Sequence, residues 1–350
     1  MKLHSLIIFT VLISASCTKF DSASTGSNDD IKKEEVSTIT PEMGGSNYTF
    51  IALGKYANEP TEENWFSDVK TPVTHYHQYV HTVKEQLDAI IANGQKKIAI
   101  VVWFGGPGLS CETWGHTVCP QNGKLPHVVK ENLENLLKEI SNRAFSEVQI
   151  RFGGQGQADI FAWDSFKPEI YESNKSFISN AILVSEQALE NKKIKVYYDL
   201  GLELMGHPFV NDKPWVKEYL TKLWDYYIQN FDVKKTIGFS FNHAHMDATY
   251  TSLKIFDDSG VRPPILGFDI YTDRQQHLQN IKLALLLRGW DSEYPIYIQE
   301  TYRNDATIAE EIHTAIKSLK LNIRTIMQWP LDQNATGHSN STDYSFDHYK

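Results

Sequence analysis

Cysteine is scarce in this chain: three among 350 residues, Cys17, Cys111 and Cys119. That leaves room for one pair, and no second Cys or His pair stands near Cys111 and Cys119 to complete a metal site. A basic excess is also missing. Lys and Arg number 34 against 43 Asp and Glu, a formal charge of -9, and the cations are scattered. The sequence therefore carries no footprint for a phosphate backbone, and nucleic acid is disfavoured and not expected as a partner. The apolar run Leu6–Ile13 falls well short of the roughly 20 residues that span a bilayer. After residue 45 there is no internal repeat and no low-complexity block. No glycine-rich phosphate turn follows the first β-type run; Gly105-Gly106-Pro107-Gly108 follows the second, but its proline makes it a loop. A doubly wound nucleotide-binding sheet is thereby disfavoured.

What is present begins with apolar bulk. Hydrophobic residues make up 41% and aromatics 12%, including 8 Trp, so the chain can bury a sizeable core and keep rings for a surface. The start has another character: Lys2, the apolar run, then Ser14-Ala15-Ser16 before Cys17, which reads as a secretory signal over residues 1–16. The arrangement resembles a bacterial lipoprotein signal. The resemblance implies lipidation of Cys17 and an extracytoplasmic protein touching the membrane through its anchor alone. An ordinary cleaved signal is the alternative, since Ser14 stands where a bulky residue is usual. Residues 17–45 are small, polar and charged and read as a tether. Export permits a Cys111–Cys119 disulfide; the competing reading joins the two thiols to His116 in a metal site.

Residues 46–350 alternate short β-type runs with longer helical patterns. Eight runs are counted: Tyr48–Leu53, Lys97–Phe104, Glu147–Phe152, Ile194–Asp199, Thr236–Phe241, Ile265–Ile270, Ile296–Glu300 and Ile323–Gln328. Between them, Val129, Leu133, Leu136, Leu137 and Ile140 hold helical spacing, and Pro214 opens a helix carrying Trp215, Tyr219, Leu220 and Leu223. Eight strands with crossover helices predict an α/β fold, a single-domain (β/α)8 barrel.

In such a barrel the site lies where strands end. Run four is followed by Glu203 and run seven ends at Glu300, so two carboxyl groups reach one rim from opposite sides. Glycoside hydrolysis needs such a pair, one protonated to assist the leaving oxygen and one ionised to attack the anomeric carbon. Arg151 on run three either orients a carboxylate there or pairs with one inside the barrel. Asn242, His243 and His245 follow run five; the two histidines are expected to bond substrate, with a metal as the alternative reading. Trp103 and Trp163, with Trp65, Trp114 and Trp290, offer rings for stacking on sugars, against a packing role.

These residues resemble clan GH-A, the retaining glycoside hydrolases built on a TIM barrel, over residues 48–332. The resemblance implies Glu203 as acid/base and Glu300 as nucleophile. It also implies that Tyr271 touches the nucleophile and that Trp329 forms a floor under the sugar. One position departs from the clan, Leu202 standing where it has an asparagine that bonds the sugar 2-hydroxyl; Asn242 is the substitute considered. The expectation is a monomeric retaining glycosidase acting on an extracellular poly- or oligosaccharide, needing no cofactor and no metal. A non-catalytic glycan-binding lipoprotein on the same barrel is the alternative.

Overall fold

The computed structural model describes residues 44–51, 70–106, 116–207, 212–242, 245–271, 273–291, 293–301 and 306–329. The leader, Cys17, most of the tether, Trp65, Cys111, Trp114 and His243 lie outside the described residues.

Alternation along β3, Glu147–Gln155, sets the plan of the molecule. Val148, Ile150 and Phe152 point outward into the apolar layer under the helices, while Glu147, Gln149 and Arg151 point into the ring. The neighbouring strands are β1 Gly45–Asn47, β2 Lys97–Gly105 and β4 Lys195–Asp199, followed by β5 Thr236–Gly238 and β6 Phe241–Asn242. The remaining strands are β7 Leu266–Asp269, β8 Ile296–Glu300 and β9 Ile323–Gln328. All pairings are parallel, in the order β5-β4-β3-β2-β1-β9-β8-β7-β6. The two ends of that order, β5 and β6, are consecutive in the chain and separated only by Phe239 and Ser240. Nine segments therefore make the eight staves of a (β/α)8 barrel.

Run five is expected as one strand but breaks in two. Gly238 takes φ +74°, and a Cβ there would sit 2.6 Å from Cζ of Phe256, so only glycine fits the bend. The first stave also shifts: β1 lies at Gly45–Asn47, ahead of the expected Tyr48–Leu53. Asn47 explains this, because its Nδ2 donates inward to the carbonyls of Gln299 (2.7 Å) and Gln328 (3.2 Å). A polar residue that faces the interior reads in sequence as loop.

The helices between the strands are α1 Val80–Ala92, α2 His127–Ser141, α3 Pro168–Ala188 and α4 Pro214–Asn230, then α5 Met246–Ser259, α6 Arg274–Leu287 and α7 Ala306–Leu319. In α2 the buried apolar residues are Leu133, Leu136, Leu137 and Ile140, one stripe at helical spacing. Each such side chain contributes about 1.5–3 kcal/mol by leaving water. None of the described helices is long and apolar enough to cross a membrane.

The ring interior is polar in tiers. Tyr297 donates to Glu147 Oε2 (2.9 Å), and Lys97 reaches Thr325 Oγ1; one tier up, Gln299 donates to Gln149 Oε1 (3.2 Å). Arg151 forms the tier at the C-terminal rim. Strand parity thus delivers a fully buried guanidinium to the place where the two glutamates arrive.

Candidate active site

Arg151 is surrounded by carboxyl groups. Its Nε donates to Asp199 Oδ2 (3.0 Å), its Nη2 to Asp269 Oδ2 (2.7 Å) and its Nη1 to Glu300 Oε1. The side chain is completely buried and carries its charge. Desolvation works against the cation, but the three carboxyl groups outweigh it and raise its pKa further. The two readings of Arg151 are therefore one arrangement: it pairs inside the barrel and orients Glu300.

Glu300 ends β8 and is 4% exposed. Its second oxygen accepts from the Tyr271 hydroxyl, two residues past β7. Burial raises the Glu300 carboxyl, while the guanidinium charge and the hydrogen bonds from Tyr271 and Arg151 oppose the rise. The Tyr271 phenol is pushed far up by burial and by the Glu300 charge, so it remains a proton donor to the carboxylate.

Glu203 is placed by backbone. After β4 the chain is stitched to both neighbouring staves: Leu202 N donates to the Phe152 carbonyl (2.8 Å) and Met205 N to that of Ser240 (3.0 Å), while Glu203 N donates to Ser240 Oγ (2.7 Å). Glu203 itself adopts φ +56°, a left-handed conformation costly for a residue with a side chain. The bend turns its carboxyl toward Asn242, whose Nδ2 donates to Oε2 (3.0 Å). Burial, then the charge of Glu300, push the Glu203 carboxyl up to about 8, against the pull of Arg151 and the Asn242 bond. One oxygen from each of Glu203, Asp269 and Glu300 lies within 4.8 Å of the other two.

An apolar wall stands beside this cluster. Buried Phe50, Val101 and Trp329 pack with Trp103, Tyr271 and Leu202, and Trp329 meets Phe50 edge-on at 5.8 Å. Leu202 is thus part of a greasy face next to the carboxyl pair. Asn242 spends its amide on Glu203, so the structure gives it a partner other than the sugar considered for it. Trp103 lies across Gly153, where a Cβ would come within 2.3 Å of the indole. Glycine makes the seat for the ring. Adjoining Glu203 and sharing Trp103 and Leu202 with this wall, a cavity of about 220 Å³ is lined also by Asp159, Phe161, His207 and Asn242.

The structure also places the other expected residues that it describes. Trp163 is 4% exposed, donates Nε1 to the Gln157 carbonyl (2.7 Å) and packs edge-on against Tyr219, so it is a core ring and offers no stacking face. Trp290 follows α6 at the opposite end of the barrel, buried with Nε1 on Asp257 Oδ1 (2.9 Å) and Arg262 over its face. His245 is exposed at the N-cap of α5, its ring 6.4 Å from that of His277. Two members of the site, Asp199 and Asp269, carry no motif that marks them in the sequence as site carboxyls. The available signal was that each is the last residue of its strand, on the same rim as Glu300. Three carboxyl groups this close are a donor set for a divalent cation. Here the guanidinium of Arg151 already contacts two of them and supplies the positive charge.

No protein-family model matches the chain, and no curated protein matches it in sequence. Solved structures match in fold. An endo-1,4-β-D-mannanase from Thermotoga petrophila RKU-1 superposes with TM-score 0.54 at 13% identity, over 85% of this chain and 91% of that one. A GH5-4 broad specificity endoglucanase from Clostridium longisporum gives 0.52 at 13% identity, over 85% and 89%. A GH5_18 protein from Streptomyces cattleya, in complex with Manb1-4GlcNAc, gives 0.54 at 14% identity, over 85% and 74%. At these identities the likeness establishes a shared barrel.

Proposed function

We propose that this domain is a retaining glycoside hydrolase acting on an extracellular poly- or oligosaccharide, with Glu203 as acid/base and Glu300 as nucleophile. The observation that carries the reading is the pair itself. One oxygen of each lies within 4.8 Å of the other, which supports the close pairing that direct attack needs rather than the wider gap of an inverting pair, and their donors differ in kind. Glu300 receives a guanidinium and a phenol, which favour its anion; Glu203 receives one neutral amide and keeps its proton. Glu203 then protonates the glycosidic oxygen while Glu300 attacks the anomeric carbon, forming a covalent glycosyl-enzyme. In the second step Glu203 takes a proton from water, which displaces Glu300. The cavity on the Glu203 side suits the leaving group, and the wall of Trp329, Tyr271 and Leu202 suits an apolar sugar face. The barrel likeness to a mannanase and an endoglucanase supports the same class.

Hydrolysis of a glycan panel by the chain from residue 46 onward tests this. Products should keep the anomeric configuration, and kcat/KM should fall on the alkaline side near pH 8 as Glu203 loses its proton. Glu300→Gln should bind glycan and turn none over. A parent chain that binds glycan without hydrolysing any would make the protein a binding module. We further propose the lipid anchor at Cys17 and the Cys111–Cys119 disulfide. The two cysteines lie only eight positions apart in a chain read as exported, which supports the second. Cys17→Ala should release the protein from membranes, and thiol counting in denaturant should find neither Cys111 nor Cys119 free.

A further inference from the structure

Four carboxyl groups gather at the barrel rim around one cation, which touches three of them, and their donors divide them unequally. Asp199 receives three: Arg151 Nε on Oδ2, and the backbone N–H groups of Gly201 (3.2 Å) and Ser240 (3.0 Å) on Oδ1. Glu300 receives two, from Arg151 and Tyr271. Asp269 receives one, Arg151 Nη2 on Oδ2, and its Oδ1 is buried with no hydrogen-bond partner. Glu203 receives the Asn242 amide. Asp269 is only 1% exposed, so bulk water does not supply the missing donor.

An ionised carboxyl there would bury an anionic oxygen without a donor, while Glu300 and Asp199 press on it with like charge. Arg151 on β3 is the cation facing it, and Tyr271, just past its own strand, presents a neutral phenol to Glu300. With Glu203 neutral, a single guanidinium still does not balance three anions. By donor supply, Asp199 and Glu300 take its charge.

We propose that Asp269 is a resident carboxylic acid, protonated in the working protein, and that it acts as a positioning residue which leaves the charge of Arg151 to Glu300. The positioning role rests on the glycosidase reading above; the resident proton does not. Burial, which raises the Asp269 carboxyl well above its ordinary range, agrees with the geometry.

Infrared spectra of the full chain at neutral pH, in the carbonyl stretch of protonated carboxylic acids, test the proton without any substrate. The parent should show two such groups, Glu203 and Asp269; Asp269→Asn and Glu203→Gln should each show one fewer. An Asp269→Asn spectrum that keeps both overturns the inference. If that variant does not fold, Glu203→Gln alone decides: a remaining protonated carboxyl supports the inference and its absence overturns it. On a hydrolysed glycan, the alkaline limb of kcat/KM should stand at the parent's pH in Asp269→Asn, because no charge has been removed. A fall of about one pH unit or more shows that an ionised Asp269 had been raising Glu203, and overturns the inference. Loss of packing alone would lower the rate without moving the limb. Should no glycan be hydrolysed, the infrared count still stands, so the two readings fail separately.

Discussion

Glu203 combines two costs in one residue: a left-handed backbone at φ +56° and a carboxyl held in its neutral form by burial. Neither serves the fold, and residues so placed cluster at functional sites, where stability is given up for geometry. The backbone part can be isolated by comparing two truncations. Glu203→Ala and Glu203→Gly both remove the carboxyl, but only glycine relieves the strain, so the glycine variant should be the more stable of the two by about 1 kcal/mol in urea titrations. Equal midpoints would mean that the turn is not strained. Turnover should be lost in both.

At the scale of elements, the staves were legible because they carry dense β-branched and aromatic runs, and α2 was legible from its stripe of Leu133, Leu136, Leu137 and Ile140. Two features were not. The interior of the ring is polar, so Ser46 and Asn47 read as loop and hid β1. The break at Gly238 needs knowledge of where Phe256 will lie. The site divides in the same way. Glu203, Glu300, Tyr271 and Trp329 sit at strand ends that a barrel assumption converts directly into a rim. The grouping of Asp199 and Asp269 around Arg151 depends on strand register and side-chain reach, which no spacing along the chain encodes. Trp163 and Trp290 show the converse error, since a tryptophan in a connecting segment is as easily a core ring as a stacking platform. The strand break itself predicts an intolerance. Gly238→Ala places a Cβ against Phe256 at a positive φ and should cost about 2–4 kcal/mol, read as a fall in thermal midpoint. A variant as stable as the parent would show that the bend is adjustable.

Across the whole molecule, the ring is made of two arcs, β1 to β5 and β6 to β9. Each arc brings one glutamate, Glu203 from the first and Glu300 from the second, so neither arc alone contains the pair. The arcs meet at the β1–β9 pairing and at the β5–β6 turn, and Ser240 sits at the second of these. Its hydroxyl accepts from Glu203 N and from Arg151 Nη2, its N–H donates to Asp199 Oδ1, and its carbonyl accepts from Met205 N. One serine therefore joins the seam of the ring to the acid, the cation and the carboxyl beside it. The site consequently behaves as a closure gauge for the barrel. Slackening at that seam by an ångström or so separates the two glutamates while every helix stays folded, and misplacement of that size costs about a hundredfold in rate. In a denaturant series, hydrolysis should disappear before the helical circular dichroism does, and Ser240→Ala should widen the interval between the two. Coincident transitions in both proteins would mean that the ring opens only when the whole chain unfolds.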